Sequence, residues 1–294
     1  AEFLGRPASS SITRRRLILP FVKTLLRAFA LLPLPLLQAL GALVGWASFL
    51  ASPSYRRRFL ENAGVAGYGL GTVRAAVAAA GKLVAETPRL WFGAPVRILW
   101  EDPSLVVEAR DRGRGIVFLT PHLGCFEAAA QGYAQRFGAI TVLYRPARKE
   151  WLRDLVDTAR ARRNLAAAPT TLAGVRQMLK ALRAGEAVGL LPDQVPPDGM
   201  GVWAPFFGRS GYTMTLSARL ARQTGATVLL VWGERLPWGR GYLVRVRPWP
   251  GAMPADDATA AARVNAQMEA LIRECPQQYL WGYARYKHPA GRAI

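Results

Sequence analysis

The chain has 294 residues, 51% of them hydrophobic, enough for one large domain with a sizeable core. Lys and Arg outnumber Asp and Glu by 39 to 19, and the resulting formal charge of +20 requires an anionic partner: nucleic acid, an acidic membrane face, or acidic protein and lipid substrates. No zinc-finger or RNA-binding signature and no basic arm with interleaved aromatics is present, which argues against nucleic acid, and Cys125 and Cys275 are too few for a disulfide framework or a four-ligand zinc site.

The positive charge is mostly arginine, the residue whose fork suits phosphate and carboxylate. No charged residue occurs from Ala28 to Ser54, whereas Arg14 to Arg16, Lys23 and Arg27 precede that stretch and Arg56 to Arg58 follow it, the pattern of a membrane-associated segment. Pro33 and Pro35 interrupt helical hydrogen bonding, so the unbroken helix predicted from Leu34 to Leu50 is slightly shorter than the roughly 20 residues that span a bilayer. Spanning and interfacial placement both stay open, beside the plainer reading as a core helix pair. The chain is accordingly divided into a basic and apolar segment, 1–54, and a catalytic part, 55–294.

Tyr55 to Trp91 predicts two helices broken around Gly64 to Gly71, and Asp102 with Pro103 opens a helix that stops at Gly113. "GIVFLT", Gly115 to Thr120, is a short continuous apolar run typical of a strand covered on both faces. A helix over Cys125 to Arg136 and a strand over Ile140 to Tyr144 follow. Beyond them come an arginine-studded helix over Lys149 to Arg163, a helix over Leu172 to Ala184 and a strand over Ala187 to Leu191. A Pro- and Gly-rich loop is expected over Pro192 to Gly211, then a helix over Thr213 to Thr224. Strands over Thr227 to Trp232 and Tyr242 to Val246 precede a closing helix over Ala255 to Cys275, opened by Asp256. The alternation predicts an α/β layered domain with a largely parallel central sheet flanked by helices.

"TPHLGCFEAA" places a histidine, one of two in the chain, directly after the first strand-like run. Ligands of open α/β sheets gather beyond the carboxyl ends of the strands. Five residues of regular helix would set the side chains of His122 and Glu127 about 140° apart, so they meet only if His122 precedes the helix and Gly124 turns the backbone. In that geometry Glu127 accepts the Nδ1 proton of His122 and Nε2 faces outward as a base, whereas a satisfied structural histidine is the bland alternative. Cys125 is a possible thiol nucleophile and more often, at such a position, a small core hydrophobe; no GxSxG elbow supplies a serine. A histidine and carboxylate without a protein nucleophile suit deprotonation of the substrate's own hydroxyl.

"PHLGCFE" resembles the HxxxxD/E motif of the lysophospholipid acyltransferase superfamily, and its surroundings resemble the bacterial lipid A late acyltransferases. The matching pieces, in order, are "RRRFLENA", "LYRP", "LLPDQVPPDGMGVWAPFFG", "TGATVLLV" and "QYLWGYARYK". The "LWGYARYK" stretch departs from relatives that place His or a basic residue at Gly282 and Tyr283. The resemblance implies transfer of a fatty acyl group from acyl carrier protein to a hydroxyl of an anionic lipid A precursor. It places that reaction at the cytoplasmic face of the bacterial inner membrane, with no metal, no cofactor and no nucleic acid.

On this reading His122 is the general base and Glu127 its orienting partner. Arg145, in the family's second block, binds an acceptor phosphate or steadies the thioester oxyanion, unless it is one more surface arginine. Asp193 and Gln194, in the third block, shape the acceptor pocket, or Asp193 forms a turn. Phe206 and Phe207 of "WAPFFG" line an acyl channel or pack in the core. The helix with Lys149, Arg153, Arg160, Arg162 and Arg163 docks the carrier protein or lipid headgroups, or is a solvated face. Two other readings compete: an acyltransferase acting on a lysophospholipid or another glycolipid with acyl-CoA or acyl carrier protein, and a non-enzymatic basic membrane or nucleic-acid binding protein.

Overall fold

In a computed structural model, which describes residues 22–146 and 162–289, the chain forms a seven-stranded sheet in the order β1-β9-β8-β2-β5-β3-β4. The strands are β1 (Ile98–Trp100), β2 (Ile116–Leu119), β3 (Ile140–Tyr144), β4 (Leu165–Pro169), β5 (Ala187–Leu190), β8 (Thr227–Arg235) and β9 (Tyr242–Pro248). All neighbouring pairs are parallel except β8 with β9. The expectation of a layered α/β domain with a mainly parallel sheet holds. The predicted helix over 149–163 falls almost wholly outside the described residues.

The continuous apolar runs are explained by cover on both faces. Every residue of β2 and of β5 is buried. Side chains alternate across the sheet, so Val117, Leu119, Val188, Leu190, Leu230 and Trp232 join one core, while Ile116, Phe118, Ala187, Leu229 and Val231 join another. The first core lies under α4 (Leu70–Phe92), α7 (Leu172–Arg183), α8 (Leu216–Thr224) and α9 (Asp257–Glu274). The second lies under α5 (Ser104–Asp111) and α6 (Phe126–Arg136).

Two segments differ from expectation. The Pro- and Gly-rich stretch is largely an antiparallel hairpin of β6 (Gly201–Phe206) and β7 (Arg209–Met214), turned at Phe207 and Gly208 with φ of 47° and 73°. Its strand residues pair with each other rather than with the main sheet, so turn-forming composition hid the ladder. The helix expected from Thr213 therefore begins at Leu216. The short strands β1 and β4 were not predicted: β1 has three residues, and β4, LAAAP, holds no β-branched or aromatic residue.

At the amino-terminal side, residues 22–31 form helix α1, followed by α2 (Leu34–Ala51) and α3 (Pro53–Val65). Helix α2 is long and apolar enough to cross a membrane, the one such helix among the described residues. One side of it packs on α4 at backbone contact distance: a Cβ on Gly81 would lie 1.9 Å from the Gly41 carbonyl and 2.5 Å from the Gly45 amide. The other side leaves Leu36, Leu40, Leu43, Val44 and Leu50 exposed. Gln38 donates to Glu86 of α4 at 3.4 Å, and Glu86 accepts from Arg235 of β8 in a two-pronged, fully buried ion pair. Helix α2 is thereby locked to the body of the domain.

Candidate active site

Two Pro-polar turns leave adjacent parallel strands at the same height. In β2 and β5 each residue faces the one 71 positions later, Ile116 opposite Ala187 through Leu119 opposite Leu190. Thr120 extends the ladder by donating its N–H to the Leu190 carbonyl. Continued three residues beyond Leu119 and Leu190, that register sets His122 against Asp193. The His122 ring Nδ1 lies 2.7 Å from Asp193 Oδ1, and the His122 backbone N–H donates to Oδ2 at 2.9 Å. Tyr279 donates its hydroxyl to the same Oδ2 at 3.1 Å.

Burial alone would push the Asp193 carboxyl up, yet the His122 ring and backbone N–H, with Arg285 beyond them, hold it below the usual carboxylate range. Burial, reinforced by Asp193, drives the Tyr279 phenol well above its ordinary value, so it remains a donor. With Asp193 ionised, Nδ1 carries the proton and Nε2 is the acceptor. That assignment follows from the partners. Gln194 occupies the acceptor position, its Nε2 3.0 Å from His122 Nε2.

The turn that presents His122 is held from behind. Gly124 adopts φ of +61°, and a Cβ there would lie 2.0 Å from the Gly233 carbonyl, so both conformation and space require glycine. Its N–H donates to the Gln278 carbonyl, and the next N–H, of Cys125, to the Gly233 carbonyl at 2.7 Å. The carboxy-terminal motif forms a strap over both turns: Leu280 N–H donates to the His122 carbonyl, and Tyr283 Oη accepts from the Val195 N–H. Asn62 of α3 fixes the strap by donating to the carbonyls of Trp281 and Tyr283, both at 2.7 Å. "FLENA" and "QYLWGYARYK" are thus two halves of one support. Sequence reasoning missed Tyr279, Tyr283 and Asn62 as contributors; the repeated strand-Leu-x-Pro-polar pattern of "FLTPH" and "GLLPDQ" was the available signal for the His122 and Asp193 pairing.

His122, Arg145 and Gln194 line one cavity of 270 Å³, with Phe126, Leu143, Leu191 and the Pro196–Pro197 turn among its walls. Arg145 is exposed at its rim. Glu127 stands in the first turn of α6, 8% exposed, and borders a neighbouring, mainly apolar cavity. The Nδ1 position expected for Glu127 is held by Asp193, because strand register reaches across the sheet where the helix carries Glu127 past the turn. Asp193 lies behind the ring, and Phe206 and Phe207 border neither cavity: both pack in the core, Phe207 against Trp281 at 5.8 Å between ring centroids. No cluster of His, Cys, Asp or Glu among the described residues has the arrangement of a metal site.

Cys125 is fully buried, and desolvation with the Glu86 charge nearby pushes its thiol well above the ordinary range. Cys125→Ala should therefore keep turnover within about tenfold, and iodoacetamide should not label the folded protein at this residue. A hundredfold loss in a variant of unchanged fold would restore the thiol mechanism.

A histidine and a carboxylate at adjoining strand ends, beside cavities with largely apolar walls, stand where open α/β sheets place their ligand sites. The chain belongs to the bacterial lipid A biosynthesis acyltransferases, whose family pattern it matches over residues 8–288. It is 31% identical over 208 residues to the lipid A biosynthesis lauroyltransferase of Escherichia coli K12, covering 69% of this chain and 67% of that one. It is 29% identical over 221 residues to the palmitoleoyltransferase of the same organism, covering 72% and 71%. The E. coli myristoyltransferase is 23% identical over 186 residues, covering 63% and 57%.

Proposed function

We propose that this acyltransferase moves a fatty acyl chain from an acyl carrier protein thioester to a hydroxyl of a lipid A precursor, with His122 as general base. The observation that carries the reading is the His122 ring, held at Nδ1 by Asp193 and presenting Nε2 to the cavity that Arg145 rims. The acceptor hydroxyl takes the place of the Gln194 amide on Nε2. Its oxygen attacks the thioester carbonyl carbon while its proton passes to Nε2. The carbon–sulfur bond then breaks, and the thiolate takes the proton back from the imidazolium, leaving an ester, a thiol and neutral His122. Asp193 stays ionised and balances the transient imidazolium.

Glu127, at the border of the apolar cavity, supplies a second carboxylate beside the acyl path, and Arg145 receives an acceptor phosphate. Carrier protein and lipid headgroup are both anionic, which fits the +20 charge. Residues 1–54 associate with the cytoplasmic face of the inner membrane, the exposed leucines of α2 supporting that placement, while 55–294 carry the chemistry.

Mass spectrometry of lipid A from cells with and without the protein tests the assignment. The expected result is a gain of one acyl chain, reproduced by the purified protein with acyl carrier protein thioester. Acylation of a lysophospholipid with no change in lipid A would transfer the assignment to that acceptor class.

A further inference from the structure

The cavity beside Glu127 shares Phe126, Leu143 and Leu191 with the His122 cavity, so the two adjoin across these three side chains. It extends between α6 and the sheet and has a volume of 70 Å³. The strand register orders its lining by depth. Thr120 and Leu191 lie at the carboxyl ends of β2 and β5; Phe118, Gly189 and Val142 form one row across three strands; Ile140 begins β3 one row deeper. Tyr133 of α6 closes the deep end with Ile140, its ring 5.1 Å from that of Phe118.

Gly189 is the only glycine in this lining. Glycine in a strand interior costs stability and normally marks a positive φ, a bulge or a close backbone approach. Gly189 is not among the positive-φ glycines, and a Cβ there would meet only side-chain atoms, Val142 Cγ1 at 3.3 Å and Ile140 Cδ1 at 3.8 Å. A Cβ at 189 would press on Val142 Cγ1 and reach Ile140 Cδ1, so the missing side chain lets these two residues lie where they line the middle and deep rows of the apolar slot.

We propose that this slot receives the distal end of the transferred acyl chain and that Gly189, with Ile140 beneath it, sets the chain length accepted. The inference rests on the acyl-transfer reading above. A methyl group at 189 projects into the middle row and excludes the deepest carbon, whereas truncating Ile140 lengthens the slot. The two substitutions therefore move selectivity in opposite directions, which loss of stability alone does not do.

The full chain, Gly189→Ala and Ile140→Ala are each given an equimolar series of saturated acyl thioesters of graded length with lipid A precursor, and products are resolved by mass. Each methylene denied burial lowers the preference for the longer chain about fourfold, from about 0.8 kcal/mol per CH₂. Gly189→Ala is expected to reduce the ratio of longer to shorter product by at least that factor, and Ile140→Ala to raise the ratio. Unchanged length profiles in both variants overturn the ruler while leaving acyl transfer intact. No transfer by the unaltered protein from any donor overturns the function itself. If Gly189→Ala does not fold, Ile140→Ala decides alone, an unshifted profile counting against the proposal.

Discussion

His122→Ala should lose about 10²- to 10⁴-fold in acyl-transfer rate, the range of a removed general base, in a protein that still folds but melts lower, because buried Asp193 loses the ring that faces it. The ring is 17% exposed at the cavity wall, and the fold around it is held by backbone groups rather than by the imidazole: the His122 carbonyl by Leu280, and the Gly124 and Cys125 amides by Gln278 and Gly233. Alanine keeps all of these. Initial rates with saturating donor, beside thermal unfolding of both proteins, check the result. Activity within tenfold of the parent would remove His122 from the chemistry.

Asp193→Asn should cost at least about 10²-fold in rate while preserving shape. The amide is isosteric, but one of its two groups becomes a donor. It cannot accept from the His122 ring, the His122 N–H and the Tyr279 hydroxyl in the way that two carboxylate oxygens do. Nε2 then loses its fixed tautomer and the imidazolium its counter-charge. Glu127→Gln is the comparison that apportions the roles. A larger loss at 193 makes Asp193 the orienting carboxylate, whereas a larger loss at 127 returns that role to Glu127.

The same carboxylate gives a pH signature in stability. Its folded-state value lies below the unfolded one, so its contribution is fully present above the unfolded carboxyl value of about 3.9 and is lost as pH falls through the folded value. The melting-temperature difference between the parent and Asp193→Asn should be level from neutral pH to about 5 and narrow below about 4. A difference that instead narrows between pH 6 and 8 would show that another group is responsible.

The sequence by itself determined the layered α/β class, most helices and central strands, and the place of His122 directly after a buried strand. Those follow from local rules: period-3.6 and continuous apolar runs, glycine stops, and a polar residue directly after a buried strand. Helix α9, opened by Asp256 accepting from the Thr259 N–H, needed nothing more. Only the tertiary structure decided which carboxylate serves the ring. Glu127 is near in sequence, but Asp193, 71 residues away, is brought opposite by the β2–β5 register, an alignment that the shared Leu-x-Pro-polar pattern hints at and only strand pairing fixes. Phe206 and Phe207 show the same division. Their composition fits an acyl channel or a core equally well, and the choice is made by which sheet face and which helices close over them. Side-chain identity states what a residue can do, whereas proximity across strands states with whom, and the second is fixed only when the sheet assembles.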